Sequence, residues 1–149
     1  MREMKKITGL LMAMLLMLSA CGSVPLTGRK QVLLVSDQEV LSSSLTQYSD
    51  YMKSATKSSD KNESAMVTRV GKKIAAATEA YLKANGMESE IKNFQWEFNL
   101  VKDNQINAFC MPGGKIVVYE GLMSLVSSDD ELAVVVGHEV AHAVAKHSN

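Results

Sequence analysis

The 149-residue sequence has only two cysteines, two prolines and 5% aromatic residues, and neither charge sign prevails. Sixteen lysines and arginines meet sixteen aspartates and glutamates, so there is no basic excess with which to hold nucleic acid. Two cysteines cannot make a disulfide framework. No apolar run approaches the ~20 residues that a membrane-spanning helix requires. No repeat recurs, and no block of like charge marks a disordered tail. What is present is an apolar fraction of 46%, too high for disorder throughout, in a length that suits one domain.

The apolar residues are unevenly spread. Arg2, Lys5 and Lys6 precede an apolar stretch from Ile7 to Leu18, and Leu18-Ser19-Ala20-Cys21 follows. A basic start, a short apolar run and small residues before a cysteine form an export signal, and this one resembles the bacterial lipobox. Residues 1–20 are therefore expected to be a lipoprotein signal peptide, with lipid attached at Cys21. Without them the chain carries a slight acidic excess, so lipid rather than charge would hold it to a membrane. Gly22 follows the cysteine where an aspartate would signal retention in the inner membrane, which predicts an outer-membrane lipoprotein facing the periplasm. Cys110 would then be unpaired; between Phe109 and Met111 it reads as a small apolar residue rather than a nucleophile.

Residues 21–36 read as a tether, and residues 37–149 as the N-terminal portion of a catalytic domain. Ser36-Asp37-Gln38-Glu39 is a capping box, followed by a helical stripe of Leu41, Leu45, Tyr48, Met52 and Ala55. After a polar break at 56–62, Val67, Val70, Ile74, Ala77 and Tyr81 predict a second helix, stopped by Asn85-Gly86. Phe94, Trp96, Phe98 and Leu100 alternate with polar residues, as in a half-buried strand. Residues 109–111 and 115–119 read as strands of a hairpin turned by Pro112-Gly113-Gly114. Ser128-Asp129-Asp130-Glu131 is a second capping box, opening a helix that runs on to His147.

That last helix carries His138-Glu139-Val140-Ala141-His142, an H-E-x-x-H pattern. Residues four apart on a helix project side by side, so two imidazoles there can hold one zinc ion. Glu139 adjoins the first ligand, where its carboxylate can take a proton from water activated by the metal. Chance would place this pattern in about 0.4% of chains of this composition. The helix is apolar almost all round, so it is expected to cross the centre of the domain, where unsatisfied histidines would be costly. His147 lies about 140° round the helix from His142 and cannot join the same ion; a capping or surface role is expected. Ala145 and Ser148 stand where a metzincin continues with glycine and histidine, so the third ligand must come from elsewhere.

Residues 107–116 (N-A-F-C-M-P-G-G-K-I), Tyr119-Glu120-Gly121-Leu122, Asp130-Glu131-Leu132-Ala133 and Gly137-His138-Glu139-Val140-Ala141-His142 together resemble metallopeptidase family 48. This gluzincin family includes CAAX prenyl proteases, HtpX-type and Oma-type peptidases, and periplasmic lipoproteins. The opening Val24-Pro25-Leu26-Thr27-Gly28-Arg29 is similar to the lipoprotein branch. The resemblance implies an α+β, zincin-like fold: helices on a small sheet, an edge-strand hairpin and a central H-E-x-x-H helix. It also implies that Asn107, Ala108, Phe109, Cys110 and Met111 form an edge strand that pairs with substrate. Side-chain hydrogen bonds from Asn107 are expected to hold that strand's entry.

In the family the third zinc ligand is a glutamate on a later helix, and no such residue lies between His142 and Asn149. The expectation is therefore a truncated chain whose C-terminal part is missing. One reading is a zinc endopeptidase of the bacterial envelope, acting on misfolded or misassembled proteins. A second is a truncated product that folds incompletely and binds no metal firmly. A third is an inactive, membrane-anchored lipoprotein that binds unfolded clients.

Overall fold

Each of the three long helices begins where a side chain satisfies a backbone N–H group that the first turn leaves open. The computed structural model describes residues 35–146, together with the backbone of 21–23 and 30–32. Residues 1–20, read as an export signal, the stretch 24–29 and His147 lie outside these residues. Within the span read as a tether, β1 (Cys21–Ser23) pairs antiparallel with β2 (Lys30–Val32). Ser36 caps α1 (Asp37–Ser54), and Glu39 returns the bond to the Ser36 backbone, completing the expected box. Asp60 caps α2 (Lys61–Ala84), which ends before Gly86 at φ 72°. A single turn, α3 (Glu88–Ile91), leads into the sheet.

The sheet has three strands: β3 (Glu97–Val101), β4 (Ala108–Met111) and β5 (Lys115–Tyr119). Their spatial order is β3-β5-β4. The chain leaves β3 for the far edge, descends β4, and returns through the middle as β5. As a result β5 is parallel to β3 and antiparallel to β4, with Phe98 opposite Ile116 and Phe109 opposite Val117. The turn between β4 and β5 uses Gly113 at φ 94° and Gly114 at φ 82°, backbone conformations that disfavour any residue with a Cβ.

Both faces of the sheet are covered. On one, α1 brings Tyr51 edge-on to Phe109 at 5.5 Å and Tyr48 within reach of Asn99, whose amide donates to the Tyr48 hydroxyl at 2.8 Å. The other face packs on α2 and on α5 (Asp129–Val144), which follows the single-turn α4 (Glu120–Met123). Val67, Val70 and Leu82 of α2 meet Leu100, Ile116 and Val118 of the sheet and Leu132, Val136 and Val140 of α5 in one core. Cover on both sides explains why Asn99, Leu100 and Val101 are all buried where alternation predicted a half-exposed strand. Phe94 and Trp96 precede the strand proper and stack on each other at 4.7 Å. The stripe expected on α2 holds at its start and drifts later: Ala75 and Leu82 enter the core, while Ala77 and Tyr81 face outward. Among the described residues no helix is long and apolar enough to cross a membrane.

Candidate metal centre

α5 is aimed from both ends. At its start the Ser128 hydroxyl accepts from the Glu131 N–H at 3.2 Å. Glu131 reaches back one residue further than a capping box requires, accepting from the Ser127 N–H at 2.7 Å. Arg69 of α2 grips Asp129 with two bonds, Nε to Oδ2 at 2.6 Å and Nη2 to Oδ1 at 2.7 Å. The guanidinium holds the Asp129 carboxyl below its ordinary range. At the other end the helix stops at Val144, short of the expected His147, and Lys146 turns into the left-handed region at φ 55°.

Between these anchors, Leu132, Val136, Val140 and Val144 are buried at intervals of four. Val134, His138 and His142 repeat at the same interval two residues out of phase, about 200° round the helix. Packing the first stripe therefore turns the second outward: Val134 is 74% exposed, and both histidines are exposed. The expectation that this helix crosses the centre, burying its histidines, is corrected. An almost uniformly apolar helix rests here on one face of the sheet and buries only the stripe that meets the core.

The two imidazoles converge. Nε2 of His138 lies 2.9 Å from Nε2 of His142, with ring centroids 4.4 Å apart and planes at 80°. Two nitrogens bound tetrahedrally to one zinc ion at ~2.0–2.1 Å would stand roughly 3.3 Å apart, so the pair fits after the rings part by a few tenths of an ångström. Among the described residues no group of three or more His, Cys, Asp and Glu is placed to hold a metal, so the pair lacks a third donor there.

Half-buried Glu139 faces β4 from the neighbouring stripe. Its charge and, chiefly, burial push the Cys110 thiol up to about 12, so Cys110 is a neutral packing residue and not a nucleophile at neutral pH. β4 itself is the outer strand, with β5 on one side and no further strand on the other among the described residues. The Tyr119 N–H donates to the Asn107 carbonyl at 3.0 Å, which sets the alternation: the backbone groups of Phe109 and Met111 point at β5, and those of Ala108 and Cys110 point outward.

The residues singled out from the sequence thus divide. Ala108 and Cys110 share the face toward α5, whereas Phe109 turns to α1 and Tyr119, the latter at 6.1 Å. Asn107 is exposed, and its side chain makes no hydrogen bond among the described residues; its carbonyl holds the strand's entry instead. That corrects the expected side-chain anchor: the ladder already supplies the bond. Of Cys21 only the backbone is described, in β1.

The profile of peptidase family M48 matches residues 63–149, more than half of the chain. The chain belongs to peptidase family M48. Among curated relatives, this M48 chain is 49% identical over 65 residues to the mitochondrial metalloendopeptidase OMA1 of Arabidopsis thaliana, covering 44% of the chain and 13% of that protein. Human mitochondrial metalloendopeptidase OMA1 is 29% identical over 127 residues, covering 83% of the chain and 23% of the relative. The beta-barrel assembly-enhancing protease of Yersinia pestis is 38% identical over 52 residues, 35% of the chain and 11% of the relative. The M48 chain therefore spans less than a quarter of the length of each of these relatives.

Sequence reasoning missed two residues that position the M48 helix, Arg69 at its start and Lys146 at its end. The Lys146 ammonium, 15% exposed, meets Asp37 of α1 at 2.5 Å and lies 3.9 Å from Glu90. It ties the end of the histidine helix to the start of α1. No local signal announces a pair 109 residues apart.

Proposed function

We propose that this chain carries the catalytic H-E-x-x-H motif of a zinc metalloendopeptidase. The observation that carries the reading is the convergence of the His138 and His142 Nε2 atoms at 2.9 Å, on a helix that lies against an outer strand. His138 and His142 would hold the ion, with a distal glutamate, implied by the family resemblance, as third ligand. When bound, the ion supplies Lewis-acid chemistry, polarising the scissile carbonyl and bringing the deprotonation of water into the neutral range. The Glu139 carboxylate accepts the proton and returns it to the leaving amide nitrogen. The outward N–H and C=O groups of Ala108 and Cys110 bind the substrate backbone as an added strand, fixing it extended beside the histidines.

The setting we propose is the bacterial envelope, with lipid at Cys21 and misfolded or misassembled proteins as substrates. The export signal supports it, and so does the likeness to a protease whose name concerns beta-barrel assembly. Two histidines hold zinc less firmly than the three protein ligands of ordinary catalytic sites. The 149-residue chain is therefore expected to bind zinc weakly and to show little or no proteolysis. Zinc titration tests this: weak uptake should disappear in His138→Ala and His142→Ala and persist in Glu139→Gln. Unchanged uptake in the double histidine variant would refute the assignment. In a chain supplied with the third ligand, casein hydrolysis should be abolished by a chelator and by Glu139→Gln.

A further inference from the structure

Beside the outer edge of β4 lies a cleft of about 370 Å³ that the catalytic reading leaves without a use. Its floor and one wall are Phe109 to Pro112; the other wall is the flank of α1, with Val40, Ser44 and Gln47. Ser44 is unusual among these. It is 6% exposed, lines the cleft, and its hydroxyl has no hydrogen-bond partner among the described residues. An unpartnered buried hydroxyl is costly, and a ligand that supplies the missing bond removes that cost. Near the mouth Glu39 carries a negative charge, its carboxylate accepting from the Ser36 N–H at 3.0 Å and hydroxyl at 2.7 Å.

Side chains of an added strand alternate between the two faces of a sheet. One set would point toward α5 and its histidines; the other would point to the α1 face, where Phe109 already lies. We propose that the α1–β4 cleft is a specificity subsite for this second set, selecting an uncharged side chain with an apolar stem and a hydrogen-bonding tip. Tyrosine is the type: Phe109 and Val40 contact the ring, and the Ser44 hydroxyl bonds the phenol. Glu39 repels an acidic tip, and burial beside Ser44 disfavours any charged one. The proposal rests on the reading of β4 as the substrate strand.

The test uses the full 149-residue chain and fluorescein-labelled nonapeptides in which threonine alternates with tyrosine or with phenylalanine, followed by anisotropy. The tyrosine peptide should bind about tenfold more tightly than the phenylalanine peptide, the worth of one hydrogen bond. Ser44→Ala, which removes the unpartnered atom without harm to the fold, should bring the two within twofold by weakening the tyrosine peptide alone. Gln47→Trp, at an exposed position, should block the cleft and weaken both peptides at least tenfold. A tyrosine preference that survives Ser44→Ala, or no preference in the unaltered chain, overturns the subsite. Peptides N-methylated at alternate amides separate the two readings. If they bind as tightly as their parents, or if no peptide binds, pairing at β4 falls and the subsite with it. If binding needs free amides yet ignores Ser44, the subsite alone falls.

Discussion

Val134 and Val136 are indistinguishable by composition and stand two residues apart on one helix, yet truncating each to alanine should have very different consequences. Val136 is 1% exposed and sits in the central core; Val134 is 74% exposed. Val136→Ala removes two buried methyl-sized groups, at about 0.8 kcal/mol each, and leaves a cavity that the packed helices only partly close; the sum is about 2–3 kcal/mol. Val134→Ala removes nothing from the core and gains a few tenths of a kcal/mol of helix propensity, so it should fall within about 0.5 kcal/mol of the unaltered chain. In a domain of this size 1 kcal/mol moves Tm by roughly 4 °C. Val136→Ala should therefore melt about 10 °C lower, and Val134→Ala within about 2 °C of the parent. Scanning calorimetry or circular dichroism on the full chain decides it. Equal losses would refute the reasoning at its centre, because they would mean that the stripe carrying Val134, His138 and His142 is buried in the folded chain. The comparison bears on function as well as stability, since burial of Val136 is what turns the histidines outward.

The Arg69–Asp129 pair should show a defined pH dependence. Its contribution is present above the ordinary aspartate range near pH ~3.9 and is lost as pH falls through the lowered value in the folded chain, so the Tm gap between the parent and Arg69→Ala should be constant above about pH 5 and close in acid. A gap that widens in acid would contradict the pairing. With its thiol pushed up to about 12, Cys110 should resist iodoacetamide at pH 8 until denaturant is added; rapid alkylation of the folded chain would show an accessible thiolate instead. Mass spectrometry of the chain exported from a bacterium should find lipid on Cys21 as the new N-terminus, and an unmodified Cys21 or a retained Met1 would end the lipoprotein reading.

Most local devices of this protein were legible in its sequence, the Asp60 cap of α2 being one that was missed. Ser36 with Glu39, Ser128 before Glu131, Asn85-Gly86 and Pro112-Gly113-Gly114 act through neighbours three or four residues away, so residue type and spacing suffice to determine them. The same holds for His138 and His142, which the helix itself sets side by side. What the sequence could not determine was direction. Three consecutive valines say that α5 is apolar, but only the surfaces of α2 and the sheet choose Val136 for the core and leave Val134 outside. Alternation suggested one exposed face on β3, and only the placement of α1 over that face buries Asn99 against Tyr48. The order β3-β5-β4, which leaves β4 on the outside, arises from pairings between strands and carries no mark in any one of them. Lys146 with Asp37, and Ser44 facing Phe109 across the cleft, likewise join residues far apart in the chain. Periodicity records what each segment would bury; which neighbour buries it is settled only when the segments compete for one core.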